Sequence, residues 1–282
     1  MLVAKPAGPT SHDVVDIARR ALGEQRIGHL GTLDPFAKGL LVLVIGRATR
    51  LATFAADWPK SYEGVIRLGE TTDTDDLTGR VVTTAPWTGI TPAQLAEVIG
   101  RFRGAYEQRP PAYSAVKIEG VRAYRRARRG EVVEPPPRQV EILDLEIVEA
   151  AVPDLRFRAT VSGGTYLRSL ARDVGAALGC GAHLSALRRT AVGPLRLEDA
   201  IAPEAVTKAA IRDAAILVAH LPRRDLTASE ADAVRHGRPI KSDRTTLDGQ
   251  QITLFADDVL LAVAEPVGGD QLKPRVVVAG DE

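Results

Sequence analysis

The succession of strand-like and helix-like segments constrains this chain most. Ser11 reads as the N-cap of a helix with Val14, Val15, Ala18 and Leu22 on one face, stopped at Gly23. Leu40 to Ile45 reads as a buried strand, Arg47 to Ala56 as a short helix and Tyr62 to Leu68 as an alternating strand. Thr91-Pro92-Ala93-Gln94 combines a capping box with Pro at the first helical position, which predicts a helix to about Phe102. Val140 to Val148 and Leu155 to Val161 read as strands, Thr165 to Leu178 as a helix, and Leu184 to Leu197 as extended chain. This order lacks the regular strand–helix alternation of a parallel sheet. It points to an α+β fold with a mixed or antiparallel sheet flanked by helices.

With 282 residues the chain has room for one large domain and a small appendage. The character changes near Leu221-Pro222. Thr227-Ala228-Ser229-Glu230 is a further capping box, followed by short Val/Leu/Ile strands separated by Gly, Asp and Pro. The expected division is therefore 1–221 for the main domain and 222–282 for a small, mostly β module. Pro135-Pro136-Pro137 reads as a linker entering a strand.

Several function classes are absent from the motif inventory. There is no Walker A loop, no GxGxxG after a strand, no HExxH, no CxxC and no GxSxG. One cysteine, Cys180, leaves no disulfide framework and no cysteine-based zinc site. The five histidines, at 12, 29, 183, 220 and 236, show no ligand spacing. Asp73-Thr74-Asp75-Asp76-Leu77-Thr78-Gly79 superficially resembles a calcium loop, but it lacks the alternating ligands and the terminal Glu and reads as a solvated turn. The expectation is chemistry without metal or cofactor. Leu40 to Ile45, the longest apolar run, is too short to span a membrane, and Met1 to Pro6 lacks a signal-peptide core, so a cytoplasmic protein is expected.

Residues 26–39 hold three glycines and one proline and read as a loop. Glycine admits close approach and positive φ, while Pro35 fixes its own φ and biases Asp34 toward extended backbone. That combination suits a single carboxylate held in one orientation. It equally suits a surface turn in which Asp34 caps the following segment, and local physics leaves both readings open.

The stretch Gly28-His29-Leu30-Gly31-Thr32-Leu33-Asp34-Pro35-Phe36-Ala37-Lys38-Gly39-Leu40-Leu41 closely resembles the GHxGxLDPxAxGxL signature of the TruB-type tRNA pseudouridine synthases. Further blocks resemble the same family in the same order. They are Lys5-Pro6-Ala7-Gly8; Lys60-Ser61-Tyr62 with Arg67-Leu68-Gly69; Tyr113-Ser114-Ala115-Val116-Lys117; Gly164-Thr165-Tyr166-Leu167-Arg168-Ser169-Leu170; and Gly181-Ala182-His183-Leu184 with Leu187-Arg188-Arg189-Thr190. The blocks run from about residue 3 to residue 197. Residues 222–282 match less sharply, although a PUA-like RNA-binding domain is usual there in bacterial members. Only four residues precede Lys5, fewer than the family usually has, which leaves a trimmed first strand or an upstream start open.

The resemblance implies isomerisation of uridine 55 in the T loop of tRNA to pseudouridine, with no cofactor, no metal and no obligatory protein partner. It implies catalytic roles for Asp34 as nucleophile, Tyr62 as the ring stacked on uracil and Arg168 as the partner of the aspartate. It further implies substrate contacts from His29, which would stack where the flipped base was, and from Tyr166, Leu187 and Lys5.

The residues themselves add a basic tract. Residues 101–129 hold nine basic side chains against Glu107 and Glu119, a local balance of +7, with Tyr106, Tyr113 and Tyr124 among them. Basic and aromatic side chains interleaved in this way suit a folded RNA. Arg122, Arg125, Arg126, Arg128 and Arg129 are the expected backbone contacts. The whole chain carries only +1, so the rest is net acidic, and residues 222–282 alone hold 8 basic and 11 acidic side chains. Thirty of the 37 basic residues are Arg, which fits a GC-rich genome and also suits bidentate phosphate contact. Two other readings compete. One is a tRNA-folding chaperone in which binding is the main contribution. The other is a glycosidic-bond hydrolase, which would need a second carboxylate that the sequence does not place near the Asp34 loop.

Overall fold

The computed structural model describes residues 1–127, 129–242, 250–268 and 270–278. Among them, a nine-stranded sheet runs in the order Leu2–Lys5, Lys38–Ile45, Ala182–Val192, Lys60–Leu68, Asp154–Val161, Arg138–Ala151, Gly104–Gln108. Ile27–His29 pairs with Lys38–Ile45, and Leu195–Arg196 with Ala182–Val192. The pairing of Lys38–Ile45 with Ala182–Val192 is parallel and the others are antiparallel. The sheet is thus mixed and the fold is α+β.

Strand alternation turns Ile66, Leu68, Leu155, Phe157, Ala159 and Val161 to one face. Helices Pro92–Arg101 and Leu167–Leu178 cover that face with Leu95, Val98, Ile99, Leu170, Ala171 and Val174. Helix Ser11–Leu22 brings Val14, Val15, Ala18 and Leu22 against Val3, Leu41 and Leu43. The opposite face of the same strand, through Leu40, Val42 and Val44, enters a separate cluster. A strand buried on both faces explains its unbroken apolar run. Full burial of each large aliphatic side chain contributes about 1.5–3 kcal/mol.

Local boundaries differ from the sequence reading in instructive ways. Thr10, not Ser11, is the N-cap, in a capping box closed by Asp13. The Ser11 hydroxyl is used elsewhere: it accepts from Leu33 N at 2.9 Å and donates to Leu33 O at 3.0 Å. The stretch expected to be all loop from residue 26 contains the strand Ile27–His29, formed because Leu43–Ile45 offers it a partner. The helix expected over Arg47–Ala56 is a 3-10 segment, Gly46–Ala55, with no side-chain cap at its start. The later helix begins at Leu167, two residues after the expected Thr165, with Tyr166 at its N-cap.

From Arg223 a second sheet forms, ordered Arg223–Asp225, Ile252–Ala256, Val259–Val267, Gln271–Val277, Ile240–Lys241. Helix Ala228–Arg235 packs on it, capped by Thr227 and Glu230. Phe255, Leu260 and Val263 share a core with Leu51, Ala55, Leu217 and Val218. The small module therefore docks on the main sheet through apolar contact. Among the described residues no helix is long and apolar enough to cross a membrane.

Gly39 marks the tightest crossing. It has φ +110°, and a Cβ there would lie 2.2 Å from the carbonyl oxygen of Arg189. Gly39→Ala is expected to destabilise the protein by about 2–5 kcal/mol, from backbone strain plus overpacking. Urea denaturation checks this; a midpoint equal to wild type would contradict it.

Candidate active site

Three segments distant in sequence meet at one ion pair. The loop between Ile27–His29 and Lys38–Ile45 presents Asp34. The first turn of helix Leu167–Leu178 presents Arg168. The connection after the short strand Glu70–Thr72 presents Asp76. Arg168 Nε donates to Asp34 Oδ2 at 2.9 Å and Nη2 to Oδ1 at 2.9 Å, a bidentate fork. Arg168 Nη1 also donates to Thr74 O at 3.0 Å and Nη2 to Tyr113 O at 3.1 Å, and Asp76 Oδ2 lies 3.6 Å from Nη1. The guanidinium is 5% exposed, so its position is set by these partners rather than by solvent.

The Asp34 turn is itself pinned. Ala37 N donates to Asp34 O at 3.1 Å, and Gly8 N donates to Pro35 O at 2.8 Å. Lys5 Nζ donates to the carbonyls of Pro6, Pro9 and Pro35 at 2.9, 2.7 and 3.2 Å. Lys5, expected as a substrate contact, is buried and does not line the cavity; its donors hold the loop. Burial draws its ammonium down to about 8, with Asp34 pulling the other way. Burial pushes the Asp34 carboxyl above the usual carboxylate range. Arg168 opposes that shift and Asp76 adds to it. About a third of the Asp34 side chain still faces the cavity.

That cavity has a volume of about 280 Å³, slightly below the range of about 300–1,000 Å³ typical of ligand pockets. Asp34, Tyr62, Tyr166, Arg168 and Leu187 all line it. Tyr62 is buried on Lys60–Leu68. Tyr166 is fixed by Gln108, whose Oε1 accepts from Tyr166 N at 2.8 Å and whose Nε2 donates to Tyr166 O at 3.1 Å. His29 does not line the cavity. Burial, then the charges of Arg189 and His12, lowers its pKa, so the ring is neutral near pH 7. A larger cleft of about 1070 Å³ lies between Lys38–Ile45 and the second sheet, but none of these five side chains lines it.

Several site residues escaped the sequence reading. Asp73–Gly79 is not simply a solvated turn. Asp76 is buried, and its Oδ1 accepts from Thr74 Oγ1 at 2.8 Å, Thr78 N at 2.9 Å and Thr78 Oγ1 at 2.5 Å. A second carboxylate therefore does lie near the Asp34 loop, contrary to expectation. It does not line the cavity and is tied to its own turn, so it does not make a hydrolytic pair. Arg189 is fully buried; it donates through Nε to Leu40 O at 2.8 Å and through Nη2 to Gly31 O at 3.0 Å. Gln108 and Arg138 lie outside the motif blocks, and Ser114 and Arg189 lie inside them without an assigned role. Among the described residues no cluster of His, Cys, Asp and Glu has metal-binding geometry.

The basic tract is less free than its charge count suggests. Arg101 pairs with Glu97, Arg109 with Glu134 at 3.6 Å, and Arg103 donates to Leu145 O at 3.0 and 2.7 Å. Arg126, expected among the phosphate contacts, pairs with Glu131 at 2.7 Å and Glu119 at 3.4 Å. Arg122, Arg125 and Arg129 are exposed, and Arg128 lies outside the described residues. Two backbone bonds, Tyr124 N to Ser114 O at 3.0 Å and Ala123 N to Val116 O at 2.8 Å, tie this segment to the cavity wall.

Comparison with known proteins agrees with this geometry. Residues 19–167 match the sequence profile of the TruB family pseudouridylate synthase N-terminal domain, and residues 168–224 that of the tRNA pseudouridylate synthase B C-terminal domain. The tRNA pseudouridine synthase B of Mycobacterium sp. (strain KMS) is 44% identical over 288 residues, covering 99% of this chain and 95% of that protein. The corresponding protein of Thermobifida fusca (strain YX) is 44% identical over 291 residues, covering 99% and 98%. A chain of a Cbf5–Nop10–Gar1 complex superimposes with TM-score 0.74 at 26% identity, over 99% of this chain and 85% of that one. A chain from an H/ACA RNP bound to a substrate RNA containing 2′-deoxyuridine has the same fold, with TM-score 0.72 at 24% identity over 99% and 84%. The mixed sheet with its small β module fits a pseudouridine-synthase catalytic fold with a PUA-like C-terminal domain. With motifs, fold and both profiles in agreement, the chain belongs to the TruB family of pseudouridylate synthases.

Proposed function

We propose that this protein isomerises uridine 55 in the T loop of tRNA to pseudouridine, with Asp34 as the nucleophile. The coarser part, pseudouridine formation in tRNA, follows from family membership at 44% identity. The finer part rests chiefly on one observation: the forked Asp34–Arg168 pair opens onto a cavity walled by Tyr62, Tyr166 and Leu187.

In this reading the target base leaves the RNA stack and enters the cavity, at a cost of a few kcal/mol. Tyr62 supplies a flat platform for the uracil. Asp34 attacks C1′ of the ribose or C6 of the base, the N1–C1′ bond breaks, and the turned base forms a C5–C1′ bond. The proton lost from C5 is balanced by one gained at N1, and Asp34 departs unchanged. No oxidant or reductant enters, because the product is an isomer of the substrate. Arg168 holds the carboxylate ionised and aimed while leaving each oxygen a lone pair. His29 flanks the loop from its strand, and in this reading its ring stacks against the RNA. Residues 222–282 act as a separate RNA-binding module.

Three outcomes check this reading. Asp34→Asn is expected to lower pseudouridine formation on a tRNA transcript by at least about a thousandfold while leaving tRNA affinity near wild type. Product at wild-type rate would remove Asp34 from the chemistry, and a wild type that binds without forming product would favour the chaperone reading. The ionised carboxylate is the reactive form, so single-turnover rate should fall with decreasing pH. Because the Asp34 pKa is raised, the midpoint should lie above the ordinary aspartate value of about 3.9. Arg168→Lys weakens the pairing and should move the midpoint to still higher pH; a shift downward would contradict the assignment. Finally, replacing Arg122, Arg125 and Arg129 together by Gln should weaken tRNA binding and flatten the slope of log K against log salt by up to about 0.9 per lost phosphate contact. An unchanged slope would place the RNA backbone elsewhere.

A further inference from the structure

The cavity carries more positive charge than its chemistry uses. Arg138, Arg168, Arg189 and Lys60 line it together with the single carboxylate of Asp34. Arg168 answers that carboxylate. Arg189 donates to the carbonyls of Leu40 and Gly31, and Lys60 to those of Ala56 at 2.9 Å and Trp58 at 2.7 Å. Arg138 is different: its Nε and Nη2 are buried and have no hydrogen-bond partner in the protein. Ser114 Oγ, on the same cavity wall and in a residue 4% exposed, also lacks one. Among the described residues the only other such atom is His29 Nδ1, outside the cavity. Buried donors are costly to leave unpaired, so three of them, on two side chains of one cavity wall, mark a place where a ligand acceptor belongs.

We infer that Arg138 and Ser114 receive a phosphodiester of the flipped nucleotide, an inference that rests on assigning this cavity to a uridine in RNA. The Arg138 guanidinium is held beside a fixed aromatic ring. It stacks 4.8 Å from the centroid of the Tyr166 ring, whose backbone Gln108 fixes on both sides. Gly164, at φ +84°, packs close to the guanidinium, where an added Cβ would lie 3.4 Å from Cζ, Nη1 and Nη2. A uracil carbonyl would satisfy hydrogen bonding but leave the cationic excess in place. A phosphodiester satisfies both, and every flipped nucleotide brings one on each side. Because Nε and Nη2 are sealed in the free protein, the contact requires Arg138 or the loop 162–165 to shift on binding.

The test is a chemical double-mutant cycle on a T stem-loop RNA. One methylphosphonate replaces the charged linkage on the 5′ or the 3′ side of the target uridine, and affinities are measured for wild type and Arg138→Gln. Arg138→Gln should weaken binding to unmodified RNA by about tenfold and reduce the salt slope by one contact. At one linkage, methylphosphonate should weaken wild-type binding by a similar factor and leave the variant unaffected. Penalties that multiply at both linkages would overturn the inference. Arg138→Lys keeps the charge without the fork, so it should restore the salt slope with incomplete affinity. It also replaces the Gln variant in the cycle if that variant's melting temperature falls, a reduced methylphosphonate penalty then supporting the contact and a full one refuting it. Ser114→Ala should show a smaller loss at the same linkage. If wild type forms no pseudouridine in the unmodified RNA, the assignment of the cavity fails, which is distinct from failure of the Arg138 contact.

Discussion

The forked contact between Arg168 and Asp34 is the interaction on which the site depends. A carboxylate that faces a small, largely buried cavity is pushed toward its neutral form, and neutral Asp34 is no nucleophile. Arg168 resists that push because it cannot lose its own proton and because its donors meet two carboxylate oxygens and two carbonyls at once. The arrangement is not free of cost. A carboxyl whose folded-state pKa is raised adds stability at low pH that is lost as pH rises through that pKa. Burial of the Asp34 carboxylate therefore opposes its ionisation, and Arg168 opposes that effect.

The rest of the fold serves to bring three distant segments to that pair. Parallel pairing of Lys38–Ile45 with Ala182–Val192 places the Asp34 loop beside Arg189 and Leu187, and Gly39 permits the close approach. Ser11 and Lys5 clamp the loop from the N-terminal side by hydrogen bonds to Leu33 and Pro35. Gln108 locks Tyr166, and with it the start of the helix that carries Arg168. Each clamp ends on backbone atoms, so loop geometry is fixed independently of whatever enters the cavity.

Much of this was legible in the sequence, for identifiable reasons. The Gly- and Pro-bearing loop, the capping boxes at Thr91 and Thr227 and the apolar run from Leu40 are local signals, and local physics reads them. Asp34, Tyr62, Tyr166, Arg168 and Leu187 were legible through motif blocks, and the fold brings all five to one cavity. Asp76 was not, because its burial depends on a bridge to Leu184, more than a hundred residues away. Counting charges over 101–129 also left out acidic neighbours. Three of the glutamates that neutralise this tract, Glu97, Glu131 and Glu134, lie just outside the window and pair with Arg101, Arg126 and Arg109. Arg138 carries no local signal at all, since an arginine at the start of a strand is ordinary until its neighbours are known.

The most direct test of the central claim is the structure of Asp34→Asn bound to a tRNA T-arm. The target uridine is expected to be flipped into the cavity against Tyr62, with its C1′ or C6 about 3–3.5 Å from the side chain at position 34. A target base that stays stacked in the RNA, or that lies in the larger cleft beside the second sheet, would contradict it.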